Sequence, residues 1–307
     1  MPGVLLRVGS RGSALALVQA RAVTDALAAR GHETELVRIE TKGDVVTDKP
    51  LDQIGGSGLF IKEIERALLE ERIDVAVHSM KDLPSQIAAG LTIAATMTRI
   101  DARDVLVSRG GGSIASLPDR AQVATGSLRR RSQLLSQRPD LSVVDLRGNV
   151  PTRIEKFHAS SWSAIVLAAA GLLRLDRFDT PDCTAIPIEE MIPAVGQGSV
   201  ALESRADDPR INATLAPMNH PESAAAIASE RAFLARIEGG CHQPVGAHAT
   251  IDGETLHLQG FVGTADGTRS LRESSSGQVQ QAERLGASLA SDMLAAGARE
   301  LGFGSGA

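Results

Sequence analysis

The chain has 307 residues, 43% hydrophobic and 22% charged, an ordinary globular mixture long enough for two or three domains. Aromatic residues make up only 2%, with no tyrosine, so the cores are aliphatic and the base-stacking mode of nucleic-acid recognition is disfavoured. The net charge of -5 leaves no global basic field, so anion recognition has to come from local clusters.

Two cysteines, Cys183 and Cys241, make no disulfide framework, and a reducing cytoplasmic setting is the expectation. Arg7 and Arg11 interrupt the apolar N-terminal run, which makes a poor signal peptide, and no stretch reads as a membrane span.

Taken in chain order, Val4 to Val8 reads as a buried strand, Ser13 to Arg30 as a helix closed by Gly31, and Leu36 to Glu40 as a second strand. A flexible Gly-Gly-Ser-Gly loop at 55–58 follows. Phe60, Ile61, Ile64, Ala67 and Leu68 then recur at helical spacing, and Ile73, Val75 and Val77 alternate as a strand. The middle third repeats this grammar: strand Gln122 to Thr125, helix Ser127 to Gln137, strands Leu141 to Leu146 and Ala164 to Ala168. The last third differs, with a helix from Glu222 to Ile237, alternating stretches near 245–250, 255–262 and 268–274, and an alanine-rich helix from about Gln278 to Glu300. Two α/β units followed by a small α+β unit are predicted, without a tandem repeat of fixed period.

Ligands of open α/β sheets bind beyond the carboxyl ends of strands, and three such ends carry suggestive residues. They are Gly9-Ser10-Arg11-Gly12-Ser13, His78-Ser79-Met80-Lys81-Asp82-Leu83-Pro84 and Thr125-Gly126-Ser127-Leu128-Arg129-Arg130. The first and third lead into helices whose free N–H groups suit an anion, although plain N-capping by Ser13 and Ser127 explains either one alone. Arg129, Arg130, Arg131, Arg147 and Arg153 crowd one stretch of an acidic protein, and guanidinium forks fit carboxylate or phosphate. Because successive helical residues point about 100° apart, at least one of Arg129 to Arg131 is expected at the surface. Asp82 is placed to stabilise positive charge on a substrate nitrogen or to move protons, against the alternatives of pairing with Lys81 or capping a turn. Cys241 follows Glu238-Gly239-Gly240 with room around its thiol, a nucleophile able to carry a covalent adduct; an inert buried thiol is the alternative. No HxxxH or CxxC spacing marks a metal, and no GxxxxGK[ST] marks a nucleotide.

In combination these residues resemble the porphobilinogen deaminase family. The shared motifs run in order: Arg11-Gly-Ser-Ala-Leu-Ala-Leu, Thr41-Lys-Gly-Asp44, Gly-Leu-Phe60, Val77-His-Ser-Met-Lys-Asp82, Gly126-Ser-Leu-Arg-Arg130, Leu146-Arg-Gly-Asn-Val, Pro193-Ala-Val-Gly-Gln197-Gly and Glu238-Gly-Gly-Cys241. The resemblance implies a transferase that joins four porphobilinogen units head to tail on a dipyrromethane cofactor bound covalently through Cys241. Each addition releases ammonia, and hydrolysis then frees hydroxymethylbilane for heme and porphyrin biosynthesis. It further implies that Asp82 is catalytic and contacts pyrrole nitrogens. Arg11, Arg129, Arg130, Arg147, Arg153 and Lys81 would bind acetate and propionate groups, with Ser13, Ser79, Thr125, Ser127 and Gln197 as further contacts. Phe60 and Asp44 would belong to a loop over the site.

The implied fold has two periplasmic-binding-protein-like α/β domains with mixed sheets, a cleft between them, and a small α+β C-terminal domain. The expected boundaries are 1–98 with 199–218, then 104–193, then 221–307, in a cytoplasmic monomer with neither nucleic acid nor membrane as partner. Ser57 and Gln53 stand where lysines are common, Gly126 where a serine is common, and His242-Gln243 also departs from the pattern. An anion-binding module without catalysis predicts no use for Cys241, and an RNA-binding reading of Arg129 to Arg131 conflicts with the net charge.

Overall fold

The structure is a computed structural model that describes residues 5–40, 61–237 and 243–304. Its principal elements are β1 (Leu6–Arg11), α1 (Ala14–Ala28), β2 (Thr34–Ile39), α2 (Lys62–Leu69), β3 (Val75–Ser79) and β4 (Leu91–Thr96). Next come β5 (Asp104–Ser108), β6 (Gln122–Ala124), α3 (Leu128–Gln137), β7 (Ser142–Val144), α4 (Val150–Ala159), β8 (Ala164–Ala168), α5 (Ala169–Arg174) and β9 (Cys183–Ala185). The chain continues through β10 (Val200–Arg205), α6 (Pro209–Leu215), α7 (Pro221–Ile237), β11 (Val245–Asp252), β12 (Thr255–Gly263), β13 (Ser270–Gln278) and α8 (Ala282–Ala295). These form two compact units, residues 1–100 with 199–224, and 101–198 with 225–307.

The first unit holds a mixed sheet ordered β2-β1-β3-β10-β4. Strands β2, β1 and β3 are parallel, and β10 runs antiparallel between β3 and β4. One face buries Leu6, Val8, Val75 and Val77 against Ala20, Val23 and Leu27 of α1; the other buries Ile73 and Ala76 against Ile64, Ala67 and Leu68 of α2. Val75 and Val77 alternate onto one face as expected, but Ile73 precedes β3 and packs in the opposite core; the helical spacing of α2 finds its apolar partner.

The second unit contains a sheet of the same pattern, β7-β6-β8-β5-β9, again with three parallel strands and an antiparallel fourth. Its two faces are covered by separate aliphatic cores, one containing Leu134 and Met191, the other Phe157 and Leu172. The same unit carries an antiparallel meander, β11-β12-β13, whose apolar face packs on α7 and α8 through Phe233, Leu256, Leu258, Leu289 and Met293. The molecule is therefore α/β, with two sheet-bearing domains and a small C-terminal sheet-and-helix domain.

Candidate active site

In the first unit, β1 and β3 are parallel neighbours, so their carboxyl ends open on one edge. At the end of β1 sits Arg11, and Ser13 caps α1 by accepting from the Ala16 N–H at 3.4 Å. At the end of β3 the backbone tightens into a single 3-10 turn, Met80–Asp82. Arg11, Ser13, Gln19, His78, Ser79 and Asp82 line one pocket of about 60 Å³. Gln19, buried on α1, is within hydrogen-bond distance of Ser79 Oγ through both its amide nitrogen and oxygen, at 2.9 and 3.1 Å. Beneath the pocket, His78 Nε2 and Glu203 Oε2 pair at 2.9 Å with both side chains buried. Burial, and then Glu203, raises the Glu65 carboxyl above its ordinary value. Asp82 is half-buried, and among the described residues its carboxylate forms no hydrogen bond or ion pair. Asp82 is not paired with Lys81, which is exposed, but it does close the 3-10 turn, so a turn role stands beside the catalytic one.

In the second unit the equivalent strand ends carry the arginines. Ser127 caps α3 through the Arg130 N–H at 3.4 Å, and Thr125 Oγ1 accepts from the Ser127 N–H at 3.2 Å. Both N-caps, at Ser13 and Ser127, are real, and both use the hydroxyl oxygen as acceptor, which leaves each hydroxyl hydrogen to donate elsewhere. Arg129 and Arg130, each only 5% exposed, converge on the fully buried Asp104 at the start of β5. Arg129 Nη1 donates to Asp104 Oδ2 and to the Ile192 carbonyl, both at 2.7 Å. Arg130 gives Nε at 3.0 Å and Nη2 at 2.7 Å to Asp104 Oδ1, and Nη1 at 2.8 Å to the Val166 carbonyl. Gln197 completes the hub, its Nε2 donating to Asp104 Oδ1 at 2.9 Å and to the Ala102 carbonyl at 2.8 Å. Burial pushes the Asp104 carboxyl up, but Arg129 and Arg130 outweigh it and hold the group far below the usual carboxylate range.

Two guanidiniums against one carboxylate leave the hub a net positive charge. Arg129 Nε is buried without a partner, a donor that a ligand carboxylate would satisfy. This donor set fits the carboxylate-bearing dipyrromethane. Arg147 ends the stretch after β7, and Arg153 lies on α4, where its Nε donates to the Gly148 carbonyl at 2.7 Å.

The arginine run splits. Arg129 and Arg130 are both buried because their long side chains reach one carboxylate from adjacent helical positions; Arg131 diverges from them, half-buried against the Val143 carbonyl at 3.3 Å. Gly126 also finds a reason: a Cβ there would stand 2.7 Å from the Leu146 carbonyl oxygen, so the turn has no room for a serine. Phe60, Cys241, Asp44, Gln53, Ser57 and His242 lie outside the described residues.

Three residues escaped sequence reasoning: Gln19, Asp104 and Arg174. Arg174, at the end of α5, is half-buried with Nη2 on the Gly198 carbonyl at 2.9 Å, and burial lowers it to about 10. Its signal in the sequence was weak, a single cation six residues beyond a strand. Among the described residues no cluster of His, Cys, Asp and Glu is arranged to hold a metal, and no helix is long and apolar enough to cross a membrane.

Comparison with known proteins matches residues 6–213 to the family described as "Porphobilinogen deaminase, dipyromethane cofactor binding domain" and residues 224–295 to "Porphobilinogen deaminase, C-terminal domain". Porphobilinogen deaminase of Geobacter metallireducens is 48% identical over 298 residues, 96% of this chain and 93% of the relative. That of Moorella thermoacetica is 49% identical, covering 96% of this chain and 95% of the relative. Among solved structures, the L-cystine solute receptor of Neisseria gonorrhoeae superposes at a TM-score of 0.43 and 13% identity over 74% of this chain and 90% of the receptor, too distant to carry an argument. By the extent and identity of the sequence matches, the chain belongs to the porphobilinogen deaminase family.

Proposed function

We propose that this transferase of tetrapyrrole biosynthesis holds its dipyrromethane by a thioether to Cys241 and divides the work between its two strand-end sites. The dipyrromethane supplies, when bound, the pyrrole terminus to which each porphobilinogen is joined with loss of ammonia. Asp82 hydrogen-bonds pyrrole N–H groups and stabilises the positive charge that develops as ammonia departs; its unpaired, half-buried carboxylate supports that role. Arg129 offers its unpartnered Nε to an acetate or propionate group. Arg130, Lys81, Thr125, Ser127, Arg147 and Gln197 complete the cofactor contacts, and Arg11, Ser13, Ser79, Arg147, Arg153 and Phe60 bind incoming substrate.

The observation that carries the reading is the Asp104 hub, a buried excess of guanidinium in an acidic protein, inside a segment whose family is defined by dipyrromethane binding. The catalytic unit is a cytoplasmic monomer with domains at 1–98 with 199–218, 104–193 and 221–307. Intact-mass measurement tests the reading. The wild-type chain should exceed its polypeptide mass by two porphobilinogen units less two ammonia, and Cys241→Ala should lack the increment and make no tetrapyrrole. Bare wild-type mass, or an active Cys241→Ala protein, would sink it.

A further inference from the structure

Cys241 lies between α7, which ends at Ile237, and β11, which begins at Val245. The described residues nearest it on either side, Ile237 and Gln243, are held by one short stretch of the C-terminus. Gly304 donates its N–H to the Ile237 carbonyl at 3.2 Å, which satisfies one of the carbonyls that a helix end leaves without a partner. Gln243 donates Nε2 to the Gly302 carbonyl at 2.6 Å. Between those two contacts Phe303 is buried in the same core as Ile237. Gly302 and Gly304 take left-handed backbone, φ +92° and +73°, so the chain doubles back around Phe303 and offers a carbonyl to one flank and an N–H to the other.

Beyond Gln243 the chain leads to the arginine hub. The Pro244 carbonyl accepts from the Gly263 N–H at 3.1 Å, and the Ala247 N–H donates to the Pro193 carbonyl at 3.1 Å. Gly246 passes so close to Arg129 that a Cβ would stand 3.2 Å from its Cδ. Gln243 therefore stands two residues after Cys241 and three before the backbone that packs on Arg129. It is also a position where the sequence departs from the family pattern. Its Oε1 is buried and without a partner among the described residues, so the bond to Gly302 is what orients the amide.

We propose that Gln243 is a positioning residue for the tetrapyrrole-building reaction, fixing the exit of the Cys241 segment beside Arg129 through its bond to the Gly302 carbonyl. The inference rests on the reading of Cys241 as the thioether anchor. A segment tied at both ends samples fewer positions than one free at either end. A group attached to Cys241 then has less conformational freedom to lose when its carboxylates meet Arg129. The bond to Gly302 lies within the protein, so the affinity for incoming porphobilinogen does not depend on it.

Full-length Gln243→Met and Gln243→Lys proteins test this. Methionine keeps the length and loses the donor; lysine restores a donor of similar reach. Gln243→Met should keep the adduct mass, the melting temperature and KM for porphobilinogen. Its kcat should fall roughly three- to tenfold, the scale of one neutral hydrogen bond. Amide hydrogen exchange of the loaded protein, a readout independent of turnover, should quicken over the peptide 237–247. Gln243→Lys should return both properties toward wild type. A Gln243→Met protein with wild-type kcat and exchange, beside a loaded and active wild type, overturns the inference alone. So does a fall in kcat that accompanies a lower melting temperature and that lysine does not restore. A wild type without adduct or tetrapyrrole product overturns the functional reading and this inference together.

Discussion

Asp104 takes two hydrogen bonds from Arg130 on a single carboxylate oxygen, Nε at 3.0 Å and Nη2 at 2.7 Å, in a buried pair. Breaking a buried ion pair from one side strands the other charge, at a cost of about 3–5 kcal/mol. Asp104→Asn strands two guanidiniums and should lower the melting temperature by on the order of 10 °C. The pH dependence has a definite sign. The folded-state pKa is depressed, so this stability is present above the unfolded carboxylate value, about 3.9, and is lost as pH falls below it. Acid titration of wild type followed by circular dichroism should show the loss, and Asp104→Asn should show less of it. An unchanged melting temperature would contradict the hub as a stabilising centre.

Asp82 contributes nothing to the fold by hydrogen bond or ion pair among the described residues. Asp82→Asn should therefore melt like wild type while kcat falls by about 100-fold or more, the usual scale for losing a positioned proton-handling group. Single-turnover assays with loaded enzyme separate this from poor binding. Near-normal turnover would leave Asp82 without a chemical role.

Gly286 of α8 lies against α7 so closely that a Cβ would run into the Ser229 carbonyl oxygen. Backbone cannot yield as a side-chain tip does, so Gly286→Ala should cost about 1–3 kcal/mol or more despite the helix-favouring alanine. Urea denaturation reads the loss directly. A stabilised Gly286→Ala protein would mean that the helices separate easily.

Arg174 spends desolvation energy on a charge with no carboxylate partner among the described residues. Arg174→Met should therefore melt at or above the wild-type temperature, while KM for porphobilinogen rises if the guanidinium serves a substrate carboxylate. A lower melting temperature with unchanged KM would assign it to structure alone.

The strand ends were legible in the sequence because glycine, serine and arginine cluster where an apolar run stops. The helices starting after Ser13 and Ser127 and the strand at Ala164 follow directly from periodicity and capping. Strands β5 and β10 were not legible. Each buries a carboxylate, Asp104 in one and Glu203 in the other, and a charge in a short apolar run argues against a buried strand until its partner is known. Those partners are 25 and 26 residues away for Asp104 and 125 away for Glu203. Helix α4 was hidden by Pro151, which reads as a breaker yet occupies the first turn, where its missing N–H costs nothing. The arginine run showed its charge but not its hub, since spacing says nothing about a shared carboxylate on another strand.

Strand β10 has a further bearing on how the molecule is made. It lies between β3 and β4, and among the described residues β4 has no other neighbour in its sheet. A nascent chain emerges amino terminus first, so β1 to β4 leave the ribosome with the place between β3 and β4 still empty. All five strands of the second sheet, which end at Ala185, are synthesised before β10 begins at Val200. The second sheet can thus close during translation while the first waits, with β3 and β4 exposing bare edges of the kind that promote misassociation. The sheet that begins first is the last to be completed, and the interval before β10 emerges is when the unfinished protein most needs protection.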